Sequence, residues 1–269
     1  MIFDTSLGNF GPSANAAAIA ETARAADELG FRALWTADHL LPPPSGSQFG
    51  RVFEPLVALA YAASITQRIR LGTSVIVLPM RNPFVVAKQV ATLDALSNGR
   101  MILGIGVGWA AEEFANVHAD FHTRGARLEE SIRLFRHLWS GSREAFSGRF
   151  YGYPGGLFDP LPVQGAELPL MIGGRSDVVL KRVAKHARMW QTTSIPVEEF
   201  PSYVAKIRAE PGGENVEVGA AVYSFSGDLG EAHATVDQWA AAGAQHLSVN
   251  FGAPEVRIDR MRQFAREFL

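Results

Sequence analysis

The order of segments constrains this chain more than any single motif does: eight stretches with strand character alternate with eight of helical character. Ile2 to Leu7 is the first strand. Ser13 or Asn15 caps the next helix, in which Ile19, Ala23, Ala26 and Leu29 recur at helical spacing until Gly30 stops it. Ala33 to Thr36 is the second strand and leads to Asp38-His39. A Pro/Gly-rich loop from Leu41 to Gly50 precedes a helix from about Glu54 to Ile65. Arg70 to Leu78 is a β-branched run, the mark of a strand buried on both faces, and Pro83 opens a helix that runs to Leu96. Met101 to Val107 is the fourth strand, followed by an insertion from Trp109 to Thr123 with a helical piece near Glu112. Leu128, Ile132, Phe135 and Leu138 mark the next helix, and Phe146 to Tyr153 reads as a β-hairpin excursion. Strands at Leu168 to Ile172, Met189 to Thr193, Val216 to Tyr223 and His246 to Asn250 complete the count. Their helices are Val178 to His186, Val197 to Ala209, Glu231 to Ala242 and Arg257 to Phe268.

Alternating strand–helix units imply a parallel sheet, and eight of them in 269 residues close into a (β/α)₈ barrel, which needs about 250. No composition break marks a linker, so residues 1–269 read as one domain. Apolar residues make up 47% of the chain and charged ones 19%, which supplies a large core. A formal net charge of −2 gives no footprint for nucleic acid or an anionic membrane. The absence of cysteine excludes disulfides, iron–sulfur clusters and thiolate zinc sites. Met1-Ile2-Phe3-Asp4 lacks the basic and apolar start of a signal peptide, and no run approaches a membrane span, so a cytoplasmic location is expected.

Chemistry in such barrels sits on the loops that follow the strands. This rule selects Asp38 and His39 after strand two, a pair that either shuttles protons or, structurally, lets Asp38 accept hydrogen bonds from a loop. Gly173-Gly174-Arg175-Ser176 opens a helix and is shaped for a phosphate; the plain alternative is a turn capped by Ser176. Gly104, Gly106 and Gly108 lack the spacing of a dinucleotide motif and instead leave room for a flat ring. His118 and His122 have a metal-compatible spacing but no third ligand, and read as surface residues; no metal is expected. Helix faces carrying Leu56, Leu59, Val86 and Val90 either form a homodimer contact or pack on the barrel.

Gln89 to Phe114, with Leu96-Ser97-Asn98-Gly99-Arg100, Leu103 to Trp109 and Glu113-Phe114, resembles the bacterial luciferase-like superfamily. Glu21 to Phe31, Trp35 to His39, Leu71 to Pro79, Leu138 to Gly141 and Leu170 to Ser176 agree in the same order, so the likeness covers nearly the whole chain. The superfamily fold is a (β/α)₈ barrel. One of its branches uses reduced FMN and oxygen as monooxygenases; the other transfers hydride with coenzyme F420, an 8-hydroxy-5-deazaflavin, and this chain resembles that branch more. The resemblance implies that Asp38 contacts the coenzyme ring and that His39 is the acid/base. It implies a cis peptide between Ser74 and Val75 behind the ring, Gly106 and Gly108 at its side, and a phosphate held by Gly173, Gly174, Arg175 and Ser176. Members that oxidise alcohols or sugar phosphates carry a Glu where this chain has Trp109, and they hold the substrate phosphate with a basic insertion that this chain lacks. His39 is therefore expected to act alone, with Phe10, Trp109 and the Leu41 to Phe53 loop lining the substrate pocket. The expectation is an oxidoreductase moving hydride between coenzyme F420 and a small organic substrate. An FMN-dependent monooxygenase and a non-catalytic flavin-binding barrel are the alternatives.

Overall fold

A computed structural model describes residues 1–42 and 49–269, the side chains of 222 and 223 excepted. In chain order the elements begin β1 (Ile2–Ser6), α1 (Ala16–Leu29), β2 (Ala33–Thr36), α2 (Pro55–Ala63), β3 (Arg70–Thr73), β4 (Ile76–Val77), α3 (Pro83–Leu96), β5 (Met101–Gly106), α4 (Ala111–Asn116) and α5 (Arg124–Trp139). They continue β6 (Phe146–Ser147), β7 (Gly152–Tyr153), β8 (Leu170–Gly173), α6 (Asp177–His186), β9 (Met189–Thr192), α7 (Phe200–Arg208), β10 (Glu217–Ser224), α8 (Leu229–Ala241), β11 (His246–Asn250) and α9 (Pro254–Phe268). Strand order is β3-β2-β1-β11-β10-β9-β8-β5, and β5 returns to both β3 and β4, so the parallel sheet closes on itself. This is a (β/α)₈ barrel. β6 and β7 pair antiparallel as the excursion between α5 and β8.

Local chemistry explains most boundaries. Asn15 caps α1 by accepting from the Ala18 N–H at 3.0 Å, and Gly30 ends it in the left-handed region at φ 91°. Asn82 caps α3 through the N–H groups of Phe84 and Val85, with Pro83 in the first turn, where its missing N–H costs nothing. Alternation along the strands sorts side chains between two compartments. Leu34, Leu71, Leu103 and Leu170 join the layer between barrel and helices, whereas Ala33, Trp35, Ile102, Met171 and Met189 cluster separately within the barrel, together with Val75.

One expectation is corrected here and one open alternative is resolved. The third barrel strand is not continuous from Arg70 to Leu78: it breaks after Thr73, resumes at Ile76 and passes into a 3₁₀ turn over Leu78–Met80. Leu56, Leu59, Val86 and Val90 are buried in the core that joins helices to barrel, so the faces they form are spent on packing within the chain.

The end of the barrel where the strands begin is held by charge. Arg32, just before β2, bonds Asp4 of β1 (Nε to Oδ1, 2.8 Å) and also pairs with Glu217 at the start of β10. Glu217 Oε1 lies 3.0 Å from His246 Nδ1. Burial disfavours ionisation of Glu217, but the His246 contact and the Arg32 guanidinium outweigh it and hold the carboxyl at about 2, against an ordinary 4.5. A carboxyl with a depressed folded value stabilises fully above its unfolded value. Here the contribution is present above pH 4.5 and is lost as pH falls toward 2. Glu217→Gln should therefore cost about 2 kcal/mol at pH 7, allowing for water at the partly exposed side chain. Thermal melts across pH 2–7 should show a shallower acid decline than wild type; parallel curves would place the acid sensitivity elsewhere.

Candidate functional site

The break in the third strand builds the floor of the site at the opposite end. Thr73 Oγ1 donates to the Gly104 carbonyl at 2.6 Å and accepts the Gly104 N–H at 3.0 Å, substituting a side chain for ladder bonds. Ser74 N–H bonds the Thr36 carbonyl at 2.7 Å, and the Ser74–Val75 peptide is cis, as the resemblance implied. Gln191 Nε2 donates to Ser74 Oγ from across the barrel at 2.8 Å.

The glycines around this break have specific neighbours. A Cβ on Gly104 would sit 1.6 Å from the Thr73 carbonyl oxygen. One on Gly106 would lie 2.5 Å from Val75 Cγ2, and one on Gly173 would lie 2.9 Å from Val75 Cγ1. A Cβ on Gly108 would meet Val77 and Phe114. The space these glycines leave is thus filled by the protein's own side chains, above all Val75. A flat ligand would rest on Val75 and not in an open gap beside Gly106.

Asp38 and His39 are adjacent in sequence but serve different partners. The Asp38 side chain is fully buried; Oδ2 accepts the Val77 N–H at 2.8 Å and Oδ1 accepts from Arg81 Nη2 at 2.8 Å. Arg81 Nη1 continues to Glu54 Oε1 at 2.9 Å. Of the two readings of Asp38, the geometry gives the acceptor of loop hydrogen bonds. His39 turns instead to Glu113, whose Oε2 lies 2.8 Å from Nδ1. Glu113 is only 2% exposed, and its Oε1 accepts the N–H groups of Leu40 and Leu41 at 3.0 and 3.1 Å. His39 therefore does not stand alone. In the sequence Glu113 stands out only as part of a matching stretch; its place in the first turn of α4, just beyond the strand-four loop, is the signal that marks it.

A cavity of about 390 Å³ opens at this end, its walls including Phe10, Trp35, Ser74, Gln191, Ser248 and Asn250. Among the described residues no charged side chain lines it. Phe10 is on the wall and reaches the far end of the Leu41 to Phe53 loop through a bridge to Val52, whereas Trp109 is not among the lining residues. Trp109 is 55% exposed and stands edge-on to His39, ring centres 5.9 Å apart, while Phe49 approaches the imidazole to 4.1 Å. Residues 43–48 of the expected pocket loop lie outside the described residues. Trp35 and Gln191 went unnoticed in the sequence because both sit inside strands, where apolar and amide side chains read as core.

The turn from Gly173 to Ser176 lies at the surface end of β8. Gly174 has φ 114° and its carbonyl accepts from Trp190 Nε1 at 2.8 Å. Arg175 is exposed and bonds the Ser194 carbonyl at 3.2 Å. Ser176 occupies the N-cap of α6, is exposed and makes no side-chain cap bond, so the first-turn N–H groups are not taken up by its hydroxyl. His118 lies in a turn at φ 55° and His122 in a 3₁₀ turn. Among the described residues no three His, Asp or Glu side chains converge as metal ligands.

If Val75 is what Gly106 accommodates, Gly106→Ala should lower stability by about 1–3 kcal/mol through overpacking. Val75→Ala in the same chain should recover most of it, because the Val75 Cβ lies 3.5 Å from the added atom. Denaturant melts of the two single variants and the double variant measure this; strictly additive losses would show that the two positions do not meet.

A family model described as luciferase-like monooxygenase matches residues 3–266. An uncharacterized protein of Mycobacterium tuberculosis is 28% identical over 89% of this chain and 88% of its own length. The F420-dependent glucose-6-phosphate dehydrogenase of Amycolatopsis mediterranei is 35% identical over 64% of this chain, but only 51% of that enzyme is covered. Among solved structures, the coenzyme F420-dependent tetrahydromethanopterin reductase of Methanopyrus kandleri superposes with TM-score 0.80 at 17% identity, covering 99% of this chain and 97% of that one. A monooxygenase of Streptomyces bottropensis does so with TM-score 0.80 at 22% identity, covering 100% and 98%.

Proposed function

The chain belongs to the luciferase-like monooxygenase family, and on that premise we propose that it is an oxidoreductase using the deazaflavin coenzyme F420 on a small organic substrate. The observation that carries this reading is the joint presence of an uncharged cavity with Ser74 of the cis Ser74–Val75 peptide in its wall and an imidazole packed against Phe49 of the same wall. The F420-dependent relative of Amycolatopsis mediterranei supports the branch, whereas the solved structures of both branches share the fold.

The residues present fit the coenzyme. An uncharged cavity suits a flat heterocycle, and the exposed glycine turn with a free Ser176 hydroxyl suits an anionic tail. In this reading Val75 backs the ring, Gly106 and Gly108 lie beside Val75 and Val77, and Gly173, Gly174, Arg175 and Ser176 hold the phosphate. When bound, the coenzyme supplies or takes up the hydride. The protein's part is to exclude water with Phe10, Phe49 and Trp109 and to move a proton at His39. Asp38 acts on the site indirectly, by fixing the turn that follows β4. Trp109, lacking a carboxylate, lines the substrate side.

Equilibrium binding decides the branch. Oxidised deazaflavin should bind with a Kd of about 1 μM or below and FMN at least tenfold more weakly. Arg175→Ala should weaken the preferred coenzyme about tenfold through the lost charge-assisted bond. A preference for FMN, with oxygen consumed when it is reduced, would establish the monooxygenase reading instead. Once a substrate is in hand, His39→Ala should lower turnover about 100-fold or more while sparing coenzyme affinity; unchanged turnover would remove His39 from the chemistry.

A further inference from the structure

We propose that Glu113 is the positioning residue for His39, setting which ring nitrogen keeps its proton and tying that choice to the start of the loop at Leu40 and Leu41. The proposal rests on the reading of His39 as the acid/base. The carboxylate divides its work by atom. Oε2 faces His39 Nδ1 at 2.8 Å, and Oε1 receives the two backbone N–H groups at 3.0 and 3.1 Å. An ionised carboxylate has only acceptor capacity, so the nitrogen facing it is the one bearing hydrogen. That fixes Nδ1–H. Among the described residues the His39 side chain bonds only through Nδ1, which leaves Nε2 as the atom to exchange a proton with a ligand.

The proton balance follows directly. The imidazolium carries hydrogen on both nitrogens. Giving one to a substrate anion breaks the Nε2–H bond, forms the new bond on the substrate, and leaves the neutral ring with hydrogen on Nδ1 against Glu113. In the reverse direction Nε2 takes the proton back. Asp38 does not compete for this role, because its oxygens are engaged by Val77 and Arg81. Trp109 and Phe49 pack against the ring and hold its plane.

Replacing the carboxylate by its amide makes a sharp distinction. In Glu113→Gln the single amide oxygen satisfies Leu40 and Leu41, two donors against one. The amide N–H₂ then faces Nδ1, which must become an acceptor, and the hydrogen moves to Nε2. The experiment is ¹⁵N spectroscopy of the His39 ring in the coenzyme-free protein, at a pH where the ring is neutral, with amide exchange at Leu40 and Leu41 as the second readout. Wild type should show the Nδ1–H form. Glu113→Gln should show the Nε2–H form with both amides still protected, and Glu113→Ala should expose both amides. A purely structural role would preserve the tautomer in the amide variant. Wild-type His39 in the Nε2–H form, or the same tautomer in wild type and Glu113→Gln, would overturn the proposal; the wild-type spectrum decides the first point even if neither variant folds. No coenzyme enters the measurement, so a wrong coenzyme assignment and a wrong role for Glu113 give different failures.

Discussion

The structure depends on a contact that only glycine permits. Where the third barrel strand breaks, the Thr73 carbonyl oxygen lies so close to Gly104 that any Cβ there would overlap it. The Thr73 hydroxyl then takes both hydrogen-bonding groups of Gly104 and closes the seam between β3 and β5. Closure of the barrel and interruption of its strand are thus achieved at one point. The interruption turns Ser74 toward Gln191 and sets Val75 between Gly106 and Gly173. A regular strand would have closed the sheet equally well but would have left no shelf at its end.

Much of the fold was legible because it rests on period and punctuation. Alternating strands and helices, Asn15 and Asn82 as caps, and Gly30 as a stop are local signals, and the structure uses each of them. α2 and α3 were legible as elements, yet which of their apolar residues face the barrel was not. Exposed Val57 and Val85 are as apolar as their buried neighbours Leu56 and Val86. The strand break was illegible to periodicity, because Thr73-Ser74-Val75-Ile76 has the composition of an ordinary strand; only resemblance to relatives pointed to it.

The site was legible in part for the same reason. Barrel topology selects Asp38, His39 and the Gly173 turn from their positions alone. It cannot assign partners, since those arrive from elsewhere in the chain. His39 meets a carboxylate 74 positions away, and Asp38 an arginine 43 positions away. Adjacent residues on an extended segment point in opposite directions, so the neighbouring carboxylate was the wrong one to pair with the imidazole. Distribution of charge follows the same division: carboxylates and guanidinium groups pair at the rim and at the far end, and the described lining of the cavity keeps none.

Asn9 gives this arrangement a further consequence. Buried after β1, it donates to the carbonyls of Ala37 and Phe53 at 2.8 and 2.9 Å and accepts the Ala37 N–H, while Phe53 N–H returns to its own carbonyl. Leu40 and Leu41 are moored at one side of the mouth by Glu113, and Phe53 at the other by Asn9. The stretch between these moorings is a cassette with fixed ends. Its sequence can diverge without unfastening either end, provided that Phe49 keeps its place against the imidazole. Selection can thus retune what the mouth admits while leaving the proton-handling apparatus untouched.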